Sequence, residues 1–192
     1  MRSLKKDIPK LMKSDLTDQL FHNCLMCDID LMESRIPYMI EKAFKRAPDG
    51  SLYTIFEFAI CMNCAQKTQN QLSRESLTNI QNYFARKRDL FQRNEEMFDS
   101  EKTEFEDWTN ECILSGNKIS ECEEFQVLAM CQGNQMEMGL FPYAISGAEA
   151  ENMQELLSEK TKDELDDFMN THLDLPPELK MLLEESSTLV LI

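Results

Sequence analysis

The chain has 192 residues, enough for one ordinary domain or two small ones, with 42% hydrophobic and 29% charged residues, a globular composition. Its formal charge of −15 is uneven: residues 1–98 hold 15 Lys/Arg against 13 Asp/Glu, while 99–192 hold 5 against 22. Neither half is a basic body that would grip phosphates by counterion release, which disfavours nucleic acid as a partner. No run of about 20 apolar residues suggests a bilayer span, and Met1-Arg2-Ser3-Leu4-Lys5-Lys6 lacks the apolar core of a secretory signal. A cytoplasmic protein with no membrane partner is expected.

In chain order, residues 1–23 form a lead-in with Leu11, Met12, Leu16, Leu20 and Phe21 at loosely helical spacing, so a short helix is expected over roughly 7–23. Cys24-Leu25-Met26-Cys27 follows. Pro37 to Lys45 and Leu52 to Ile60 are aromatic and β-branched on either side of a turn at Asp49-Gly50, the pattern of a β-hairpin. Cys61-Met62-Asn63-Cys64 comes directly after the second strand. From there Ala65, Leu72, Leu77, Ile80, Phe84, Leu90 and Phe91 fall at helical intervals.

Seven cysteines is an odd number, and four of them stand in two CxxC pairs, which favours metal over a disulfide framework. Four thiolates from Cys24, Cys27, Cys61 and Cys64 can close a tetrahedral shell around one zinc ion. A dithiol redox centre is the competing reading, but it wants a single CxxC at the head of a helix in a βαβ setting.

This order of cysteine knuckle, hairpin, and helix with the last two ligands in its first turn resembles the treble-clef zinc finger over about residues 24–84. The resemblance implies that Cys24 and Cys27 are the knuckle ligands, that Cys61 and Cys64 bind from the helix start, and that the cofactor is one structural Zn2+. It is a resemblance to a fold group, whose ribosomal, chromatin, ubiquitin-system and nuclease members have geometry in common rather than function. The nuclease branch needs catalytic histidines, and the chain has only His22 and His172.

Residues 85–110 carry Arg86-Lys87-Arg88 and Arg93, then Glu95, Glu96, Glu101, Glu104, Glu106 and Asp107, which reads as a long exposed connector helix. Arg86, Lys87, Arg88 and Arg93 are the candidate contacts for a phosphate or an acidic partner. A charge run of this kind is more often a solvated face. Trp108, the single tryptophan, suits a seam between domains.

Sliding the chain against itself by 85 residues suggests an internal repeat. Phe58-Ala59-Ile60 falls on Tyr143-Ala144-Ile145, Leu72-Ser73 on Leu157-Ser158, Ser76 on Thr161, Ile80 on Leu165 and Tyr83 on Phe168. Ser76 and Thr161 are the expected helix N-caps, Thr161 forming a capping box with Glu164. Phe125 to Cys131, a turn at Gly133-Asn134, and Met136 to Phe141 read as a second hairpin. In the second copy Cys24 corresponds to Cys112, Cys27 to Ser115, Cys61 to Ser146 and Cys64 to Glu149, so metal is not expected there and the unit must rest on its own apolar core. Helix periodicity alone also produces some of these matches.

The expected fold class is therefore α+β, with two tandem treble-clef-like units, the first zinc-bound and the second metal-free. The expected divisions are a lead-in helix (1–23), the zinc unit (24–84), the charged connector helix (85–110), the degenerate unit (111–172), and a C-terminal helix with an apolar tail (173–192). Cys112, Cys122 and Cys131 match no compact ligand pattern and read as structural thiols. Acidic clusters such as Asp163-Glu164-Asp166-Asp167 fit no calcium loop. With no phosphate-cradling glycine loop, nucleophile elbow or paired histidine, the expected function is a non-enzymatic interaction or regulatory module with an unknown protein partner. A nucleic-acid-binding regulator using residues 86–93 is the alternative.

Overall fold

The computed structural model describes residues 1–173, so the helix and apolar tail expected over 173–192 lie outside the described residues apart from Leu173. The strands are β1 (Leu4–Asp7), β2 (Tyr38–Arg46), β3 (Leu52–Cys61), β4 (Glu124–Gln132), β5 (Gln135–Met138) and β6 (Tyr143–Ser146). The helices are α1 (Met62–Gln69), α2 (Arg74–Lys87), α3 (Leu90–Asp99), α4 (Phe105–Thr109), α5 (Gly147–Gln154) and α6 (Glu159–His172). Among the described residues, these six strands form one antiparallel sheet in the order β1-β5-β4-β2-β3, with β6 also on β4.

The two expected hairpins are present, and the sheet joins them. β2 pairs with β3 from Tyr38↔Cys61 to Arg46↔Leu52, with a bulge between Ala43 and Phe44. On its other side β2 pairs with β4 from Tyr38↔Cys131 to Lys45↔Glu124, so both hairpins lie in one sheet. The buried apolar residues accordingly form one continuous cluster, reaching from Met12 and Tyr38 through Val127 and Leu128 to Phe168, in place of a separate core for each half. β2 is central, which explains why Tyr38 to Phe44 is buried on both faces.

The second hairpin's return arm is split. Gly139 N–H turns to the Phe141 carbonyl at 2.6 Å, and Pro142 has no N–H to give to a ladder. β5 therefore pairs with the far end of β4 (Met130↔Glu137 to Gln132↔Gln135), and β6 with its near end (Phe125↔Ser146 to Leu128↔Tyr143).

α1 and α2 have the lengths of α5 and α6, 8 and 14 residues, and begin 85 positions earlier. Each long helix packs on a strand of the other hairpin. The Phe84 ring of α2 meets Tyr143 of β6 edge-on at 6.3 Å, and Phe168 of α6 meets Phe58 of β3 edge-on at 5.7 Å.

Three local expectations need correction. The lead-in is not helical beyond one 3-10 turn at Lys10–Met12; Leu4–Asp7 is instead an edge strand on β5, from Leu4↔Met138 to Asp7↔Gln135. Asn94 holds its start, accepting from Arg2 N–H at 3.1 Å and donating to the Arg2 carbonyl at 2.9 Å. The connector is not one exposed helix. Arg88 is extended, and the Asp89 carboxylate caps a new helix by accepting from Phe91 and Gln92 N–H at 2.9 and 3.0 Å. The N-caps of α2 and α6 are Ser73 and Ser158; Ser76 and Thr161 lie three residues later and donate their N–H groups to those hydroxyls, and Ser158 rather than Thr161 opens α6.

Candidate metal centre

The first cysteine pair sits in a tight knuckle. Cys24 N–H donates to the Ile29 carbonyl at 3.0 Å, and Asp28 N–H returns to the Cys24 carbonyl at 2.9 Å. Asp28 closes the turn with φ of 58°, a left-handed conformation that Asp tolerates better than most residues, and its carboxylate accepts from Asn23 Nδ2 at 2.8 Å. Leu25 N–H donates to the Ala59 carbonyl at 2.9 Å, fixing the knuckle against β3.

The second pair straddles a strand-to-helix junction. Cys61 ends β3 and is the N-cap residue of α1, which places Cys64 at the third helical position. A spacing of three residues is what an N-cap and its third helical residue require to face one another, so CxxC at a helix start converges without strain.

The four Sγ atoms of Cys24, Cys27, Cys61 and Cys64 lie within 4.8 Å of one another. The Cys27 and Cys61 sulfurs are 3.8 Å apart. A tetrahedron with metal–sulfur bonds of about 2.3 Å has edges of about 3.8 Å, so the donor set fits a metal ion of zinc type. None of the seven cysteines is in a disulfide. Cys24, Cys61 and Cys64 are buried and Cys27 is exposed, leaving one side of the shell at the surface.

The site favours ionisation unevenly. Burial opposes a charge on Cys24, yet N–H groups of Cys61, Cys27 and Met26 outweigh it and hold that thiol at about 7. Cys61 N–H approaches the Cys24 sulfur at 3.3 Å. Burial raises the Cys61 and Cys64 thiols, and a thiolate at Cys24 adds to the rise. Gathering four sulfurs in this pocket is unfavourable to further ionisation unless a cation compensates.

The basic candidates do not form a free stripe. Arg93 is buried, donating from Nη2 to the carbonyls of Trp108 at 2.7 Å and Pro142 at 3.3 Å, with its guanidinium 4.7 Å from the Trp108 ring centre. Its place on α3, between Leu90 and Met97 on the inward face, was the available signal. Lys87 reaches the buried Glu149 at 3.3 Å and Arg88 pairs with Glu96 at 2.7 Å. Arg86 is exposed and donates to the Asn82 carbonyl. Trp108 is buried and donates from Nε1 to the Lys102 carbonyl, so it closes the α3–α4 corner instead of a seam between domains. His22 is exposed, and its carbonyl accepts from Leu31 N–H.

Glu149 is a polar centre that charge patterning alone did not single out. Its carboxylate accepts from the Tyr83 hydroxyl at 2.6 Å as well as from Lys87, and both donors lie one turn apart on α2. Among the described residues no helix is long and apolar enough to cross a membrane. Compared with known protein families, curated proteins and solved structures, the chain matches none.

Proposed function

We propose that the protein is a non-enzymatic zinc-binding module whose role is protein interaction or regulation. The observation that carries this reading is the convergence of the Cys24, Cys27, Cys61 and Cys64 sulfurs within 4.8 Å from two separate stretches of chain. Four sulfur donors complete a tetrahedral shell, leaving no coordination position for substrate, so the ion's contribution is to folding. It ties the 24–27 knuckle to the β3–α1 junction, at a binding free energy on the order of 10 kcal/mol.

The same reading takes the molecule as two treble-clef-like units placed side by side on one sheet, zinc in the first and none in the second. Supporting it, α1 and α5, and likewise α2 and α6, are equal in length and equally spaced after β3 and β6. Two CxxC pairs that need free thiols for metal suit a cytoplasmic setting. A partner would meet an acidic surface, given the net charge of −15.

The nucleic-acid alternative is weakened by the internal use of Arg93, Lys87 and Arg88. Fluorescence polarisation with labelled DNA and RNA across a salt series separates the two readings. Weak binding throughout supports the interaction module; tight, steeply salt-sensitive binding overturns it.

A further inference from the structure

A second knuckle, residues 112–117, repeats the first bond for bond. Cys112 N–H donates to the Asn117 carbonyl at 2.7 Å, Gly116 N–H returns to the Cys112 carbonyl at 2.8 Å, and Ile113 N–H donates to the Ala144 carbonyl at 2.9 Å. These are the bonds made by Cys24, Asp28 and Leu25, moved 88 residues along on the knuckle side and 85 on the strand side. Gly116 has φ of 73° where Asp28 has 58°. Ser146 is the N-cap residue of α5 as Cys61 is of α1, and Ser146 N–H approaches the Cys112 sulfur at 3.3 Å, as Cys61 N–H approaches Cys24. Cys112, Ser146 and Glu149 are buried and Ser115 is exposed, the same distribution as Cys24, Cys61, Cys64 and Cys27.

The Ser146 side chain also turns toward the Cys112 sulfur instead of capping its own helix. Ser146-Gly147-Ala148-Glu149 has the spacing of a capping box, in which the serine accepts from the third helical N–H and the glutamate reaches back. That box is not made: Ser146 has no capping bond, and its hydroxyl lies 3.5 Å from the Cys112 sulfur. Ser115 Oγ accepts from Asn117 N–H at 3.3 Å within the knuckle, and Glu149 turns to Tyr83 and Lys87.

Taking the paired-unit reading above as its basis, we propose that Cys112, Ser115, Ser146 and Glu149 are a converted metal shell. Three thiol positions now carry oxygen side chains; the knuckle is held to the strand–helix junction by the Ser146 N–H and hydroxyl at the Cys112 sulfur, while Tyr83 and Lys87 satisfy the Glu149 carboxylate from α2. The 85-residue shift that takes α2 to α6 puts Phe168 at the position of Tyr83, and phenylalanine has no hydroxyl to donate. The hydroxyl half of the Glu149 tie therefore has no counterpart beside Cys64. The backbone hydrogen bonds that frame the second knuckle remain those of the first site.

The frame should accept metal once the thiols are restored. In Ser115→Cys/Ser146→Cys/Glu149→Cys, binding would release the thiol protons of Cys112 and of the three introduced side chains to buffer, and form four metal–sulfur bonds. Lys87, already partly exposed, can turn to solvent when Glu149 is replaced. Elemental analysis and cobalt titration of the full chain should rise from one metal per chain in the wild type to two in the variant, with the thiolate-to-cobalt absorbance doubling. A variant that keeps the wild-type circular dichroism and still binds one ion overturns the proposal. Should the triple variant not fold, Ser115→Cys/Ser146→Cys leaves Glu149 with Tyr83 and Lys87 and gathers three thiols. An added cobalt in that variant supports the converted shell, and none overturns it. Wild-type stoichiometry reports separately on Cys24, Cys27, Cys61 and Cys64, so failure of the first-site reading and failure of this one are distinct results.

Discussion

The hydroxyl of Ser158, which caps α6, donates at 2.9 Å to the hydroxyl of Ser73, which caps α2. The contact is reciprocated around it: Ser73 N–H donates to Thr161 Oγ1 at 3.0 Å, and Ser158 N–H donates to Ser76 Oγ at 2.9 Å. Two helix starts, each with unsatisfied N–H groups, are thereby satisfied by one another's side chains. Ser73→Ala and Ser158→Ala should each cost about 1 kcal/mol in urea unfolding. Because the two caps form one network, the double variant should depart from additivity by about 0.5 kcal/mol or more. Additive losses would mean that the caps work independently.

The Lys42 ammonium is fully buried and is held by the Lys13 carbonyl at 2.7 Å and by Asp15 and Glu57 at 2.8 Å each. It pins the 13–15 segment across the hairpin, and Asp15 also accepts from the Thr54 hydroxyl. Lys42→Met should cost about 3 kcal/mol, because it leaves the mostly buried Glu57 carboxylate without its cation. Burial alone would raise the Asp15 carboxyl, but bonds from Lys42 and Thr54 outweigh it and the net shift is downward. A lowered folded-state value makes the contribution present above the unfolded value of about 3.9 and lost as pH falls through the folded one. The wild type should therefore lose stability in acid below about pH 4, and Asp15→Asn should lose less of it over that range. Chemical denaturation at a series of pH values measures both slopes.

Buried Arg93 bridges α3, α4 and the loop before β6 through two carbonyls. Arg93→Met keeps much of the apolar stem but leaves the Trp108 and Pro142 carbonyls without this donor, and should cost about 3 kcal/mol. Arg93→Lys should recover little of it, since a single ammonium cannot reproduce the planar fork and its stacking on Trp108. Thermal melts of the two variants against wild type decide this; rescue by lysine would show that charge alone matters.

Gly116 has φ of 73° with nothing within 4 Å of the position a Cβ would take. Any cost of Gly116→Ala is then conformational and should be about 1 kcal/mol. A neutral result in a denaturation titration would mean that the second knuckle relaxes freely.

Local pattern carried the hairpins and the cysteine pairs, because alternation and CxxC spacing are properties of neighbouring residues. What lay beyond it was set by long-range partners. Leu4-Lys5-Lys6-Asp7 has no apolar alternation and becomes a strand only because β5 offers an edge and Asn94 holds Arg2. The pairing of β2 with β4 joins residues some 80–90 positions apart, and two separate units would have left the same local signature. Ser73 and Ser76 are both plausible caps by residue type; the choice is made by Ser158 across the interface. Arg93 stands in a charged run, and although Leu90 and Met97 put it on the inward face of α3, its partners, the Trp108 carbonyl and ring, come from a separate helix.

The central claim is that Cys24, Cys27, Cys61 and Cys64 together hold one zinc ion that organises the N-terminal half. Native mass spectrometry and elemental analysis of protein purified without added metal test it most directly, with Cys61→Ser and Cys112→Ser alongside. One zinc per chain is expected in wild type and in Cys112→Ser, and a metal-free, strongly destabilised chain in Cys61→Ser. A folded wild-type chain without metal, or a Cys61→Ser chain as stable and as metal-loaded as wild type, would contradict it.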